Sequence, residues 1–186
     1  MNSKILLTAL LASLVGLTGC DVVREWDEEV RLHDSKVIVI KRTAVKEFTA
    51  ALGDYPYRHK ESRIALDKPI KVRWEGDIRP IAFDLYGSDA YVVIDLIGRG
   101  GPCQHYGNPN PPFVYFRSRN GIAWERVDAA VVPPTLRQNL LLHWDRPEIE
   151  KLRAPLGINE KQKMNATGAK EILEFSPVDR RRQRFC

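Results

Sequence analysis

The sequence predicts a mainly β fold: an antiparallel meander of about eight strands, closed as a barrel or a sandwich, with a short, partly helical C-terminal appendage. Three observations carry this. Apolar and polar residues alternate at period two through much of residues 28–128. Strand-like segments recur at roughly ten-residue spacing. Turn residues punctuate them at Asp34-Ser35, Gly87-Ser88-Asp89 and Asn120-Gly121.

Residues 22–27 contain no Gly, Ser or Pro and read as a short tether. Val30 and Leu32 then alternate with Glu29, Arg31 and His33, Asp34-Ser35 turns the chain, and residues 36–41 return as a β-branched strand. An irregular stretch with Gly53, Pro56 and the polar residues 57–62 follows. Ile64 and Leu66 open the next strand, and Ile70, Val72 and Trp74 alternate with Lys71, Arg73 and Glu75. Ile81, Phe83 and Leu85 pair in a hairpin with residues 91–97, whose nearly continuous apolar run belongs at the centre of a sheet. Residues 98–112, rich in Gly and Pro, read as a long loop. Residues 113–117 and 122–126 flank Asn120-Gly121, which signals a two-residue type I′ hairpin.

After Ala129 the pattern changes. Pro133-Pro134 ends the alternation, and residues 135–144 fit either a helical or an extended course. Asp145 and Pro147 suit the start of a short helix with Ile149 and Leu152 on one face, and residues 159–165 suit another turn or two. The expected organisation is a signal at 1–19, a lipidated tether at 20–27, a β-domain at 28–128 and an appendage with a basic tail at 129–186.

The signal has three parts. Lys4 precedes an apolar run over residues 5–17, and small residues follow. The run spans about 20 Å at 1.5 Å per residue, short of the roughly 30 Å hydrocarbon core, so it is too short for a permanent transmembrane helix. Leu17-Thr18-Gly19-Cys20 resembles the lipobox of bacterial lipoproteins. That resemblance implies cleavage before Cys20 by signal peptidase II, acylation of Cys20, and a soluble periplasmic body held by acyl chains. An ordinary secretory signal, leaving Cys20 as a plain thiol, is the alternative. Asp21 resembles the residue that retains enteric lipoproteins in the inner membrane, which favours the inner over the outer membrane. Residues 24–30 with Leu32-His33-Asp34, and residues 103–124 with Pro111-Pro112, loosely resemble uncharacterised proteobacterial envelope proteins. That resemblance implies a β-rich lipoprotein and no assigned activity.

The 29 Lys+Arg exceed the 24 Asp+Glu by five. Removing Lys4 with the signal leaves +4, and Arg180, Arg181, Arg182 and Arg184 account for all of it, because residues 20–179 hold 24 basic and 24 acidic side chains. The basicity belongs to a tail suited to anionic lipid headgroups or simply to solvent, not to a nucleic-acid surface.

Cys103 and Cys186 are the cysteines left once Cys20 is acylated. In an oxidising compartment they form a disulfide candidate worth roughly 4–5 kcal/mol on the loop-entropy model. Free thiols and intermolecular pairing are the alternatives. Cys103-Gln104-His105 carries no nucleophile signature, the four His are scattered without metal-ligand spacing, and residues 98–101 lack the lysine and helix of a phosphate loop. No catalytic residue, metal or cofactor is expected, and the oligomeric state stays open. Arg99, His105, Tyr106 and Phe113 are the binding-loop candidates, because long loops are often functional. The expected role is non-enzymatic, binding or structural, as an accessory or immunity-like envelope protein with an unidentified protein partner. The alternative is a periplasmic hydrolase of peptidoglycan or glycan using two of the carboxylates Asp84, Asp95 and Glu125.

Overall fold

The computed structural model describes residues 21–48, 57–96, 100–142 and 147–166. Eight strands form two antiparallel four-stranded sheets, each an open meander in chain order. The first sheet holds β1 (Val22–Arg31), β2 (Val37–Phe48), β3 (Tyr57–Leu66) and β4 (Val72–Gly76). The second holds β5 (Pro80–Tyr86), β6 (Asp89–Asp95), β7 (Phe113–Ser118) and β8 (Glu125–Val127). Two short helices, α1 (Gly100–His105) and α2 (Ile158–Ala166), and two 3-10 turns (Ala129–Val131 and Pro147–Lys151) complete it.

The period-two pattern places the core. Away from the bulge at Val45/Lys46, pairing in the first sheet joins even-numbered residues to even-numbered ones, as in Val30↔Ile38, Arg42↔Ile64 and Ile64↔Trp74. One face therefore gathers Val30, Ile40, Ile64, Leu66, Val72 and Trp74. These form one buried cluster with Phe83, Leu85, Val92, Ile94 and Val114 of the second sheet. Burying each large apolar side chain contributes about 1.5–3 kcal/mol. The two sheets are thus held face to face.

The second sheet is covered on both faces. Its other side buries Ile81, Tyr91, Val93, Phe113 and Tyr115 under Leu136. This is why residues 91–95 read as continuously apolar. The covering segment has little regular structure of its own, and Asn139 fixes it to both sheets. Asn139 Nδ2 donates to Phe83 O (2.7 Å) and Arg31 O (3.0 Å), while its Oδ1 accepts from Phe83 N at 3.0 Å. Further on, Leu141, Ile149 and Leu156 pack with Trp26 and Ala44 of the first sheet. Leu156 also exchanges backbone hydrogen bonds with β1, donating to Asp27 O (2.8 Å) and accepting from Glu29 N (3.0 Å). The C-terminal part of the chain is a strap around both sheets.

Four local expectations change. Residues 22–27, expected as a tether, are the first half of β1, paired with residues 41–46 and carrying buried Trp26. Residues 57–62, expected to be irregular, extend β3 along β2 as far as Phe48↔Tyr57. Ion pairs such as Arg58–Glu47 stand there in place of an apolar face, so no hydrophobic alternation marks the strand. Residues 98–112 include α1.

Asn120-Gly121 does not make a two-residue type I′ hairpin. Gly121 has φ +73°, but Asn120 is not in the left-handed region, and the β7–β8 ladder begins only at Arg117↔Glu125. The loop is instead docked on β4. Gly121 O accepts from Arg73 N at 2.7 Å, and Trp124 Nε1 donates to Arg73 O at 2.6 Å. Asn120 Oδ1 caps the turn by accepting from Ile122 N and Ala123 N, each at 3.0 Å.

Candidate functional site

A cleft of about 350 Å³ opens where the β1–β2 turn, β5, the strap and α2 meet. The turn supplies Arg31, Leu32, His33 and Ser35, and β5 supplies Asp84. Residues 135–142 of the strap and one face of α2, including Lys161 and Gln162, complete the wall. The turn is rigid for local reasons. Leu32 N donates to Lys36 O (2.8 Å), and Asp34 Oδ1 accepts from Lys36 N (3.1 Å), with Ser35 at φ +68°.

Asp84 anchors this turn to the second sheet. Its side chain is 2% exposed and lies 3.1 Å, Oδ1 to Nδ1, from the His33 ring. It also accepts from His33 N (3.0 Å) and Leu85 N (2.7 Å). Burial pushes its carboxyl above the ordinary value of 3.8, and the His33 hydrogen bond works against that rise. The imidazole stacks on Tyr86, with centroids 3.8 Å apart and planes 12° apart, and Tyr86 OH lies 2.6 Å from Thr135 Oγ1. The position and plane of the His33 ring are therefore fixed from both sides.

Beside the cleft lies a buried charge cluster. Glu28, on the apolar face of β1, is fully buried, as are Arg42 and, nearly so, Lys161. Glu28 Oε1 accepts from Leu141 N (2.6 Å) and Lys161 Nζ (3.1 Å). Its Oε2 accepts from Arg42 Nη1 and Trp26 Nε1, each at 3.1 Å. Lys161 also donates to Glu29 O, and the Arg42 guanidinium sits 5.2 Å from the Trp26 ring centroid. Burial lowers the pKa of both Arg42 and Lys161, while Glu28 acts to raise them. Four donors on one carboxylate are what makes so desolvated a charge tenable.

The cleft's charge balance follows. Of its lining groups, Asp84 is engaged by the His33 ring and the amides of His33 and Leu85, and Lys161 by Glu28 and Glu29. Among the described residues, Arg31 and Arg137 remain as lining cations with no ion pair to a lining carboxylate; Arg137 Nη1 donates to the carbonyls of Pro134 (2.7 Å) and Leu136 (3.0 Å). Gln138 Oε1, on the same wall, is buried and has no hydrogen-bond partner among the described residues.

The residues singled out from sequence do not gather at this site. Cys103 is buried in α1 with Sγ 3.3 Å from Leu96 O, Phe113 is buried, and His105 is exposed. Tyr106 is half-buried and donates to Asp77 Oδ1 at 3.2 Å; burial first, then Asp77, pushes its phenol up to about 12. Asp21 pairs with Lys60 at 2.6 Å. Cys20, Arg99, Arg180, Arg181, Arg182, Arg184 and Cys186 lie outside the described residues.

Of the three strand carboxylates, Asp84 lines the cleft and Glu125 pairs with Arg117 at 2.7 Å. Asp84, Tyr91, Arg117 and Glu125 form one row across the second sheet, so Asp84 and Glu125 stand three strands, roughly 14 Å, apart. Glycosidase pairs stand about 5–9.5 Å apart. Sequence reading passed over Arg31, His33, Arg137, Gln138 and Lys161. One signal was present for the neighbouring cluster: Glu28 shares the parity of Trp26 and Val30, which puts a carboxylate on a buried face.

Fold and site together define a mainly β, two-sheet protein with a strapped, cation-rich cleft. No family model, no curated protein and no solved structure matches the chain.

Proposed function

We propose that this protein is a lipid-anchored periplasmic binding protein of the bacterial envelope, non-enzymatic, whose ligand seat is the cleft at His33 and Asp84. The observation that carries the ligand chemistry is the pair Arg31 and Arg137, which among the described residues make no ion pair to a carboxylate of the cleft lining. A site of this size and charge suits a small anion. Small carboxylic acids are the class that fits. Titrating the protein with such acids, lactate and glutamate among them, while following backbone amide shifts tests this. Saturable shifts at Arg31, His33 and Gln138 are expected, and Arg31→Ala with Arg137→Ala should weaken binding at least tenfold. Shifts spread evenly over the surface would refute the seat.

The anchor is the acylated Cys20, with Asp21 favouring the inner membrane and the Arg180, Arg181, Arg182 and Arg184 tail meeting anionic headgroups. Cys103 and Cys186 pair as a disulfide in that compartment, an arrangement supported by the burial of Cys103. Incorporation of labelled palmitate that Cys20→Ala abolishes is the expected result. A mass two hydrogens below that of the reduced chain is expected for the disulfide. An envelope protein partner, in an accessory or immunity-like role, would be recovered by crosslinking from membranes.

A further inference from the structure

Cys20 immediately precedes Asp21 in the sequence, and β1 begins at Val22. No spacer separates the acylated residue from the first strand, and the Asp21–Lys60 ion pair (2.6 Å) ties that entry point to β3. Beside it, Phe48 and Tyr57 pair directly across β2 and β3. Their rings meet edge to face at 5.6 Å, and they are 48% and 42% exposed. Every other aromatic side chain among the described residues is buried or half-buried. Val23, 56% exposed, adds a third apolar group at this end. Of the neighbouring charges, Asp21 pairs with Lys60 and Glu47 with Arg58, and Lys46, between Val22 and His59, adds a cation.

Amphipathic and aromatic side chains are favoured at the boundary between headgroups and acyl chains, and a lysine beside them suits anionic headgroups. We propose that this end of the first sheet is a membrane-contact surface, with Phe48 and Tyr57 seated in the interface of the bilayer that holds the acyl chains of Cys20. The proposal rests on the lipoprotein reading above. It also sets the orientation of the body. The ten residues of β1, at about 3.3 Å each, place the His33 turn roughly 30 Å from the anchored end. The cleft then opens toward the aqueous periplasm, and its ligand arrives from solution rather than from the membrane.

The test uses the acylated full-length product reconstituted in vesicles of brominated phosphatidylcholine and phosphatidylglycerol. Phe48→Trp and Tyr57→Trp report on this end, and Val39→Trp reports on an exposed position nearer the turn; the wild-type tryptophan signal is subtracted. Matching unfolding curves in detergent confirm that the variants fold. The expected result is a blue shift and loss of most emission at positions 48 and 57, with neither at 39. Equal quenching at all three positions, or none at 48 and 57 in protein that carries palmitate, overturns the proposal and leaves the lipoprotein reading intact. Failure to incorporate palmitate overturns both. A blue shift at 48 in unacylated Cys20→Ser protein that sediments as a dimer assigns the surface to a second copy and also overturns it.

Discussion

Glu28 is the residue on which the strap end of the molecule depends. Replacing it with Ala leaves Arg42 and Lys161 buried without a counter-charge, and breaking a buried pair in this way costs about 3–5 kcal/mol. Urea denaturation of Glu28→Ala should show a loss of that size. Asp84 gives a pH signature at the same scale. Its carboxyl is raised in the folded state, so the native protein holds that proton more tightly than the unfolded chain. Its contribution is most favourable at or below 3.8 and is lost as pH rises through the folded value. Wild-type stability relative to Asp84→Asn should therefore fall as pH climbs from 3.8 through that window, as measured by urea midpoints in a pH series. Tyr106 offers a spectroscopic check: Tyr106→Phe should delete a phenolate component that titrates near 12 in the ultraviolet difference spectrum.

At the scale of elements, two turn glycines separate local from tertiary demands. Gly87, between β5 and β6, has φ +62° with open space where a Cβ would stand. Gly121 has φ +73°, and a Cβ there would lie 2.0 Å from Lys71 O. Gly87→Ala should cost about 1–2 kcal/mol for the left-handed backbone alone. Gly121→Ala carries that cost and also ejects the loop from β4, losing hydrogen bonds of roughly 1 kcal/mol each. Thermal unfolding of the two variants should show the larger loss at position 121. The same loop shows where sequence reading fails. Asn-Gly specifies a hairpin only when nothing else competes, and here the backbone of Arg73 competes. Sequence reading succeeded where one face of a strand meets the core, as at Ile70-Val72-Trp74 and Phe83-Leu85. It failed at residues 22–27 and 57–62, where charged and apolar residues mix without clean alternation and the pairing is supplied by β2.

Across the whole molecule, the strap decides what counts as interior. The cleft brings together residues such as His33 and Asp84, 51 positions apart, and no periodicity foretells that meeting. The mainly β class followed from alternation, strand spacing and turn residues, whereas the site needed the chain beyond Ala129 to fold back over both sheets. A chain ending at Asp128 would bare Tyr91, Val93 and Tyr115 and leave Glu28 facing solvent. Such a truncation should bind an apolar dye and lose its sharp unfolding transition. The backbone contacts at the margins of the first sheet have one more consequence. Leu156 occupies the outer side of β1, and the Gly121–Trp124 loop occupies that of β4. On the proposed acyl anchor, copies would be concentrated in two dimensions, where bare strand margins would join neighbouring copies into continuous sheets. At those two points the margins of the first sheet are already paired, so edge-to-edge joining of that sheet with a second copy is blocked there.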